Sequence, residues 1–186
     1  MGFDGIEGFA VSAGPGSFTG IRIGISAIKG LAAAKKLPCI PVSTLRAMAE
    51  NYSDTDCFVC AVMDARCSQV YNANFNIHCG KITRLCEDRA LLCEELATEI
   101  TKLSEKGDKI IIVGDGTEVF YPFVKDIQNV SVSDELHRFQ SATGVAMAAM
   151  DNINNRNFLS PEELQPLYLR LPQAERELKR KRELEL

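Results

Sequence analysis

Apolar residues follow two rhythms along this 186-residue chain. From Ile6 to Val11 they crowd into a short run that reads as a strand. After Gly14-Pro15-Gly16 the spacing lengthens to three and four, and Ser17–Lys36 reads as a helix, with Lys35 and Lys36 suiting its C-terminal dipole. Leu37-Pro38 ends it, because a residue before proline is steered out of the helical region. Ile40–Val42 reads as a short strand, and Ser43 as the N-cap of a second helix through Asn51. Around Ser53-Asp54-Thr55-Asp56 the texture changes. Phe58–Asp64, Gln69–Ile77 and Lys81–Leu85 read as consecutive strands, turning at Cys67-Ser68 and Cys79-Gly80. A helix from Cys93 to Lys106 is closed by Gly107, and Lys109–Val113 is a buried strand ending at Gly114-Asp115-Gly116. Asn129–Val132 is a short strand and Ser141–Asn154 a helix rich in small residues. A proline-punctuated segment, Ser160–Pro172, leads to a charged helix, Ala174–Leu186. Strands alternating with helices give an α/β class, and the three-strand meander points to a second subdomain.

The helix after the glycine turn is apolar on two sides. On a helical wheel Gly20, Gly24, Ala27, Leu31 and Ala34 share one face, and Phe18, Ile21, Ile25, Ile28 and Ala32 another. One side must cover the parent sheet; the other needs a cover from this chain or from another protein. Each of the two mid-helix glycines costs about 1 kcal/mol relative to alanine, which close approach of a neighbouring helix offsets. Strand, glycine turn and helix can also cradle a phosphate on backbone N–H groups. The reading adopted is close approach, with Gly14, Pro15 and Gly16 a structural turn.

Composition narrows the function. With 46% hydrophobic and 25% charged residues the chain has the make-up of an ordinary globular protein. No apolar run is long enough to span a bilayer, and the start, Met1-Gly-Phe-Asp-Gly-Ile-Glu, has no signal-peptide character. A cytoplasmic protein with no membrane partner is expected. The net charge of −4 gives no global attraction to nucleic acid. The basic run Lys179, Arg180, Lys181 and Arg182 is a local candidate for RNA or partner contact, although flanking glutamates favour a solvated helical face. Seven cysteines at irregular spacing do not form a disulfide framework. Cys57 and Cys60 lie in an expected strand, where i and i+3 point to opposite faces, so a shared metal is disfavoured. His78 and His137 stand far apart, and no P-loop is present. No catalytic residue and no metal ligand is therefore expected. Gly114-Asp115-Gly116 reads as a structural turn, and Asp64-Ala65-Arg66 as a structural triplet pairing within itself or at a lobe boundary.

The stretch Ala10-Val-Ser-Ala-Gly-Pro-Gly-Ser-Phe-Thr-Gly-Ile-Arg-Ile-Gly24 resembles the bacterial TsaB (YeaZ) family, non-catalytic relatives of TsaD in the glycoprotease family. Pro41-Val-Ser-Thr-Leu45, Met63-Asp-Ala-Arg66 leading to Val70-Tyr71, and Pro166-Leu-Tyr-Leu-Arg170 match in order. The resemblance implies an actin-like ATPase (ribonuclease-H-like) fold of two lobes. Residues 1–56 plus 158–186 would form the first lobe and 57–157 the second. It implies an accessory subunit that organises TsaD, with the ATPase TsaE, to place threonylcarbamoyl on the adenosine next to the anticodon of ANN-decoding tRNAs. TsaD would dock on the glycine-turn helix, at Phe18, Gly20, Ile21, Gly24, Ile25, Ala27, Ile28 and Leu31, and without TsaD the same face would form a homodimer. ATP and metal would reside in the partner subunits, with no cofactor in this chain, and tRNA would be reached through the complex. Relatives normally begin with a further strand, hairpin and helix, so the first lobe is expected to be N-terminally truncated. The alternative is an ATP-dependent enzyme or a peptidase of the same fold acting alone.

Overall fold

The computed structural model describes residues 5–170. In chain order the elements are β1 (Phe9–Gly14), α1 (Phe18–Lys35), β2 (Cys39–Ser43), α2 (Thr44–Ala49), β3 (Cys57–Asp64), β4 (Gln69–His78), β5 (Lys81–Arg84) and β6 (Arg89–Leu92). They continue with α3 (Cys93–Ser104), β7 (Ile110–Val113), α4 (Thr117–Phe120), β8 (Val130–Val132), α5 (Glu135–Arg138) and α6 (Ala142–Asn154). The α/β class holds, and the elements build two sheets.

The larger sheet runs β5-β4-β3-β7-β8, with β6 pairing the other half of β4's outer edge. β3 is antiparallel to β4 and parallel to β7. Alternation sorts its side chains. Cys57, Val59, Ala61 and Met63 face one side, joined by Leu45, Met48 and Ala49 of α2. Phe58, Cys60 and Val62 face the other, joined by Cys93, Leu96 and Ile100 of α3 and by Phe120. Cys57 and Cys60 thus sit on opposite faces. β6 is not legible in the sequence because Arg89–Leu92 is only four residues long, too short to show an alternation.

The smaller sheet is the parallel pair β1–β2, registered from Phe9↔Cys39 to Ser12↔Val42. β1 starts and ends three residues later than the apolar run Ile6–Val11 indicates, because its pairing partner is β2. α1 covers one face, where Ile25, Ala32, Cys39, Ala13 and Leu164 form a core with Ile21 and Ile28 packed against it. α6 covers the opposite face, with Ala148 and Ala149 against Ile40, Val42 and Ala47. Its small residues are there for proximity: a Cβ on Gly144 would collide with the Ala47 carbonyl. α6 falls inside the 57–157 segment yet packs on the smaller sheet and α2. α2 lies between the two sheets, with Leu45 and Met48 towards the larger and Ala47 towards the smaller.

Caps set the helix boundaries. Ser17, Ser43 and Ser141 each accept a backbone N–H three residues on, opening α1, α2 and α6. Asp134 caps α5 and also binds His137 Nδ1 at 2.8 Å. That pairing makes His137 a surface capping residue and holds the Asp134 carboxyl below its usual range. Ala174–Leu186, with Lys179, Arg180, Lys181 and Arg182, lies outside the described residues.

Candidate functional site

Four of the sequence's conspicuous segments, far apart in the chain, line one cleft of about 380 Å³ between the two sheets. The glycine turn supplies Pro15, Gly16 and Ser17, the end of β3 supplies Asp64 to Arg66, the loop after β7 supplies Asp115, and the return segment supplies Leu167 to Arg170. The glycine turn exists for close approach. Leu167 N–H donates to the Ala13 carbonyl at 2.7 Å, and a Cβ on Gly14 would lie 2.5 Å from the Leu167 carbonyl oxygen. Gly14 also has φ +128°, a region that favours glycine.

Asp64-Ala65-Arg66 does both things its residue types allow. Arg66 pairs with the Asp64 carboxylate at 2.9 Å, and Arg170 donates to the Ala65 carbonyl, tying the return segment to β3. Gly114-Asp115-Gly116 is a packing turn. A Cβ on Gly114 would overlap the Val62 carbonyl, and one on Gly116 would lie 2.8 Å from Met63 backbone carbon. Removal from water, with the Asp64 carboxylate beside it, pushes the Asp115 carboxyl up, while the N–H of Asp64 pulls the other way. The cleft holds two carboxylates and two guanidinium groups, of which Arg66 pairs with Asp64 and Arg170 is taken up by the Ala65 carbonyl. Among the described residues no nucleophile and base meet in it.

Above this cleft α1 presents a face that none of the described residues covers. Its basic edge is occupied: Lys29 donates to the Leu164 carbonyl at 3.0 Å, and Arg22 to the Tyr168 hydroxyl at 2.7 Å. Phe18 stacks on Tyr168 with centroids 4.8 Å apart, and the Arg22 guanidinium lies over Phe18. The opposite edge carries Gly20, Ile23, Gly24, Ala27, Gly30, Leu31 and Ala34, a stripe without a charged residue. Ile23 is 66% exposed and Leu31 39%. Nothing among the described residues demands glycine there: a Cβ on Gly24 would meet only Val11 at 3.9 Å, and one on Gly30 nothing within 4 Å.

The eight residues expected at a partner face therefore divide. Gly20, Ala27 and Leu31 are exposed, and Gly24 flanks them half-buried. Ile25 is a correction: at 3% exposure it belongs to the core beneath α1, and Ile21 and Ile28 pack beside it. Phe18 is committed to Tyr168. The reason is geometric, since a helix resting on a sheet gives one apolar face to that sheet. The sequence reading passed over Ile23, although it lies three residues after Gly20 and four before Ala27 on the same stripe.

Residues 1–176 match the family described as TsaD, tRNA N6-adenosine threonylcarbamoyltransferase. The chain is also 31% identical over 167 residues to the tRNA threonylcarbamoyladenosine biosynthesis protein TsaB of Escherichia coli (strain K12), covering 89% of this chain and 71% of that protein. It belongs to the TsaB family. The TsaB of Bacillus subtilis (strain 168) is 28% identical over 172 residues, covering 89% of this chain and 70% of that protein. In three dimensions the chain is similar to YeaZ from Pseudomonas aeruginosa, with a TM-score of 0.73 at 21% identity over 89% of this chain and 76% of that one. A second solved structure, described as an uncharacterized protein with similarity to peptidase YEAZ from the same organism, gives 0.70 at 23% identity over 89% and 74%. Three of the four motifs that carried the resemblance to TsaB thus fold together around one cleft: the glycine turn, Met63–Arg66 with Tyr71, and Leu167–Arg170.

Proposed function

We propose that this protein is an accessory subunit in tRNA threonylcarbamoyladenosine biosynthesis, which docks TsaD on the outward stripe of α1. TsaD supplies the transfer chemistry and TsaE completes the assembly, acting on the adenosine next to the anticodon of ANN-decoding tRNAs. The observation that carries this reading is the stripe itself. Ile23 and Leu31 stand exposed among Gly20, Gly24, Ala27 and Gly30, with no backbone among the described residues close enough to require glycine. Glycine weakens a helix, so its repeated use on an uncovered apolar face fits a helix from another protein lying close against it. When TsaD is absent, the same stripe pairs two copies of this chain. The cleft beneath acts as the joint that fixes α1 through the return segment, and catalysis stays in the partner.

The test is light scattering after size exclusion with TsaD from the same organism. Association by the native chain and its loss on Ile23→Asp support the docking face. Association unaffected by Ile23→Asp places the contact elsewhere.

A further inference from the structure

The register of β3 and β4 sets Asp56 opposite His78, one step beyond the Cys57↔Ile77 pair. Around them the β4–β5 turn folds back tightly, with Cys79 at φ +49°. Asp56 uses both carboxylate oxygens there. One accepts the Cys79 backbone N–H at 2.7 Å, and the other meets His78 Nδ1 at 2.9 Å. The Cys79 thiol lies 3.5 Å from His78 Nε2. One ligand atom from each residue, a carboxylate oxygen, an imidazole nitrogen and a thiol sulfur, all fall within 4.8 Å of one another.

We infer that Asp56, His78 and Cys79 form a binding site for a borderline-soft divalent cation of the zinc class. Zinc–ligand lengths of about 2.0–2.3 Å put tetrahedral ligand atoms roughly 3.3–3.6 Å apart. Asp56 and Cys79 meet opposite nitrogens of the His78 ring, so the exposed ring turns to offer one nitrogen to a cation shared with both. Mixed nitrogen, oxygen and sulfur donors select against magnesium and calcium, which take oxygen alone. All three residues are exposed, so a cation held by them keeps a coordination position open to water or to a donor from a docked partner. Such a cation clamps the loop before β3 to the β4–β5 turn. The sequence shows neither paired histidines nor a cysteine pair on one strand face; here one histidine acts with neighbours that strand pairing supplies.

Cobalt(II) titrated into the metal-free full chain is the probe. The inference expects one equivalent bound with a thiolate-to-cobalt charge-transfer band, displaced by zinc. Cys79→Ser abolishes the band, Cys67→Ser leaves it, and His78→Ala and Asp56→Asn each weaken binding by about tenfold or more. Zinc raises the unfolding temperature of the native chain and leaves that of Cys79→Ser unchanged. No thiolate band, a band that survives Cys79→Ser, or unchanged affinity in both His78→Ala and Asp56→Asn overturns it. Exposed positions leave the metal-free fold intact, so these readouts report the site.

Discussion

Replacing Gly24 by alanine is expected to move two properties in opposite directions: the monomer gains stability and its hold on TsaD weakens. Gly24 and Gly30 lie inside the 18-residue α1, away from its caps. A methyl group at Gly24 makes an ordinary contact with Val11, 3.9 Å away, and at Gly30 it enters open space. Each replacement therefore recovers about 0.8–1 kcal/mol of helix propensity, and the pair about 1.5–2 kcal/mol. In a chain of this size the pair raises the unfolding temperature by about 3–8 °C. In a close-packed helix contact the same methyl overfills the space at about 1–3 kcal/mol, a loss of roughly 5- to 150-fold in affinity. Thermal unfolding reads the first effect, and calorimetric titration into TsaD the second. A Gly24→Ala protein that binds TsaD as tightly as the native chain would refute the reasoning about close approach. A loss of stability at concentrations too low for two copies to pair would show that the stripe is already packed within the chain.

Three further outcomes follow from the packing. Gly114→Ala unfolds the protein or costs several kcal/mol in denaturant unfolding, because φ is +104° and the new Cβ overlaps the Val62 carbonyl. Arg170→Ala removes the bond to the Ala65 carbonyl, a partly solvated charge-assisted contact worth about 1 kcal/mol, and faster hydrogen exchange at Leu167 N–H reads the loosened return segment. Burial pushes the Glu50 carboxyl up, with Arg46 at 2.9 Å opposing it. Above the ordinary glutamate value and up to the raised native one, the folded state keeps a proton that the unfolded chain releases. Stability therefore falls as pH rises through that interval, and Glu50→Gln flattens the slope in urea titrations at a series of pH values.

Local signals in the sequence were sufficient wherever a backbone decision was local. Ser17, Ser43 and Ser141 announce their helices, and the β3 alternation separates Cys57 from Cys60 without reference to anything distant. What sequence could not settle depends on which faces meet. Ile25 and Leu31 look alike on a wheel, yet the β1–β2 sheet takes one and leaves the other exposed. β6 and α5 are only four residues each, too short to show a period, and their places come from the edge of β4 and the Asp134 cap. Arg22 and Tyr168 are 146 residues apart and meet only because the return segment crosses α1. Asp56, His78 and Cys79 likewise meet through strand register, which no motif spacing encodes.

The most direct test of the central claim is the mass of the species formed when this chain is mixed with TsaD from its own organism, measured by light scattering for the native protein and for Ile23→Asp. The account predicts a stable complex of the two native proteins and separate components with the variant, whose unfolding temperature stays near native because Ile23 is two-thirds exposed. The same complex mass with both, or none with the native chain, contradicts it.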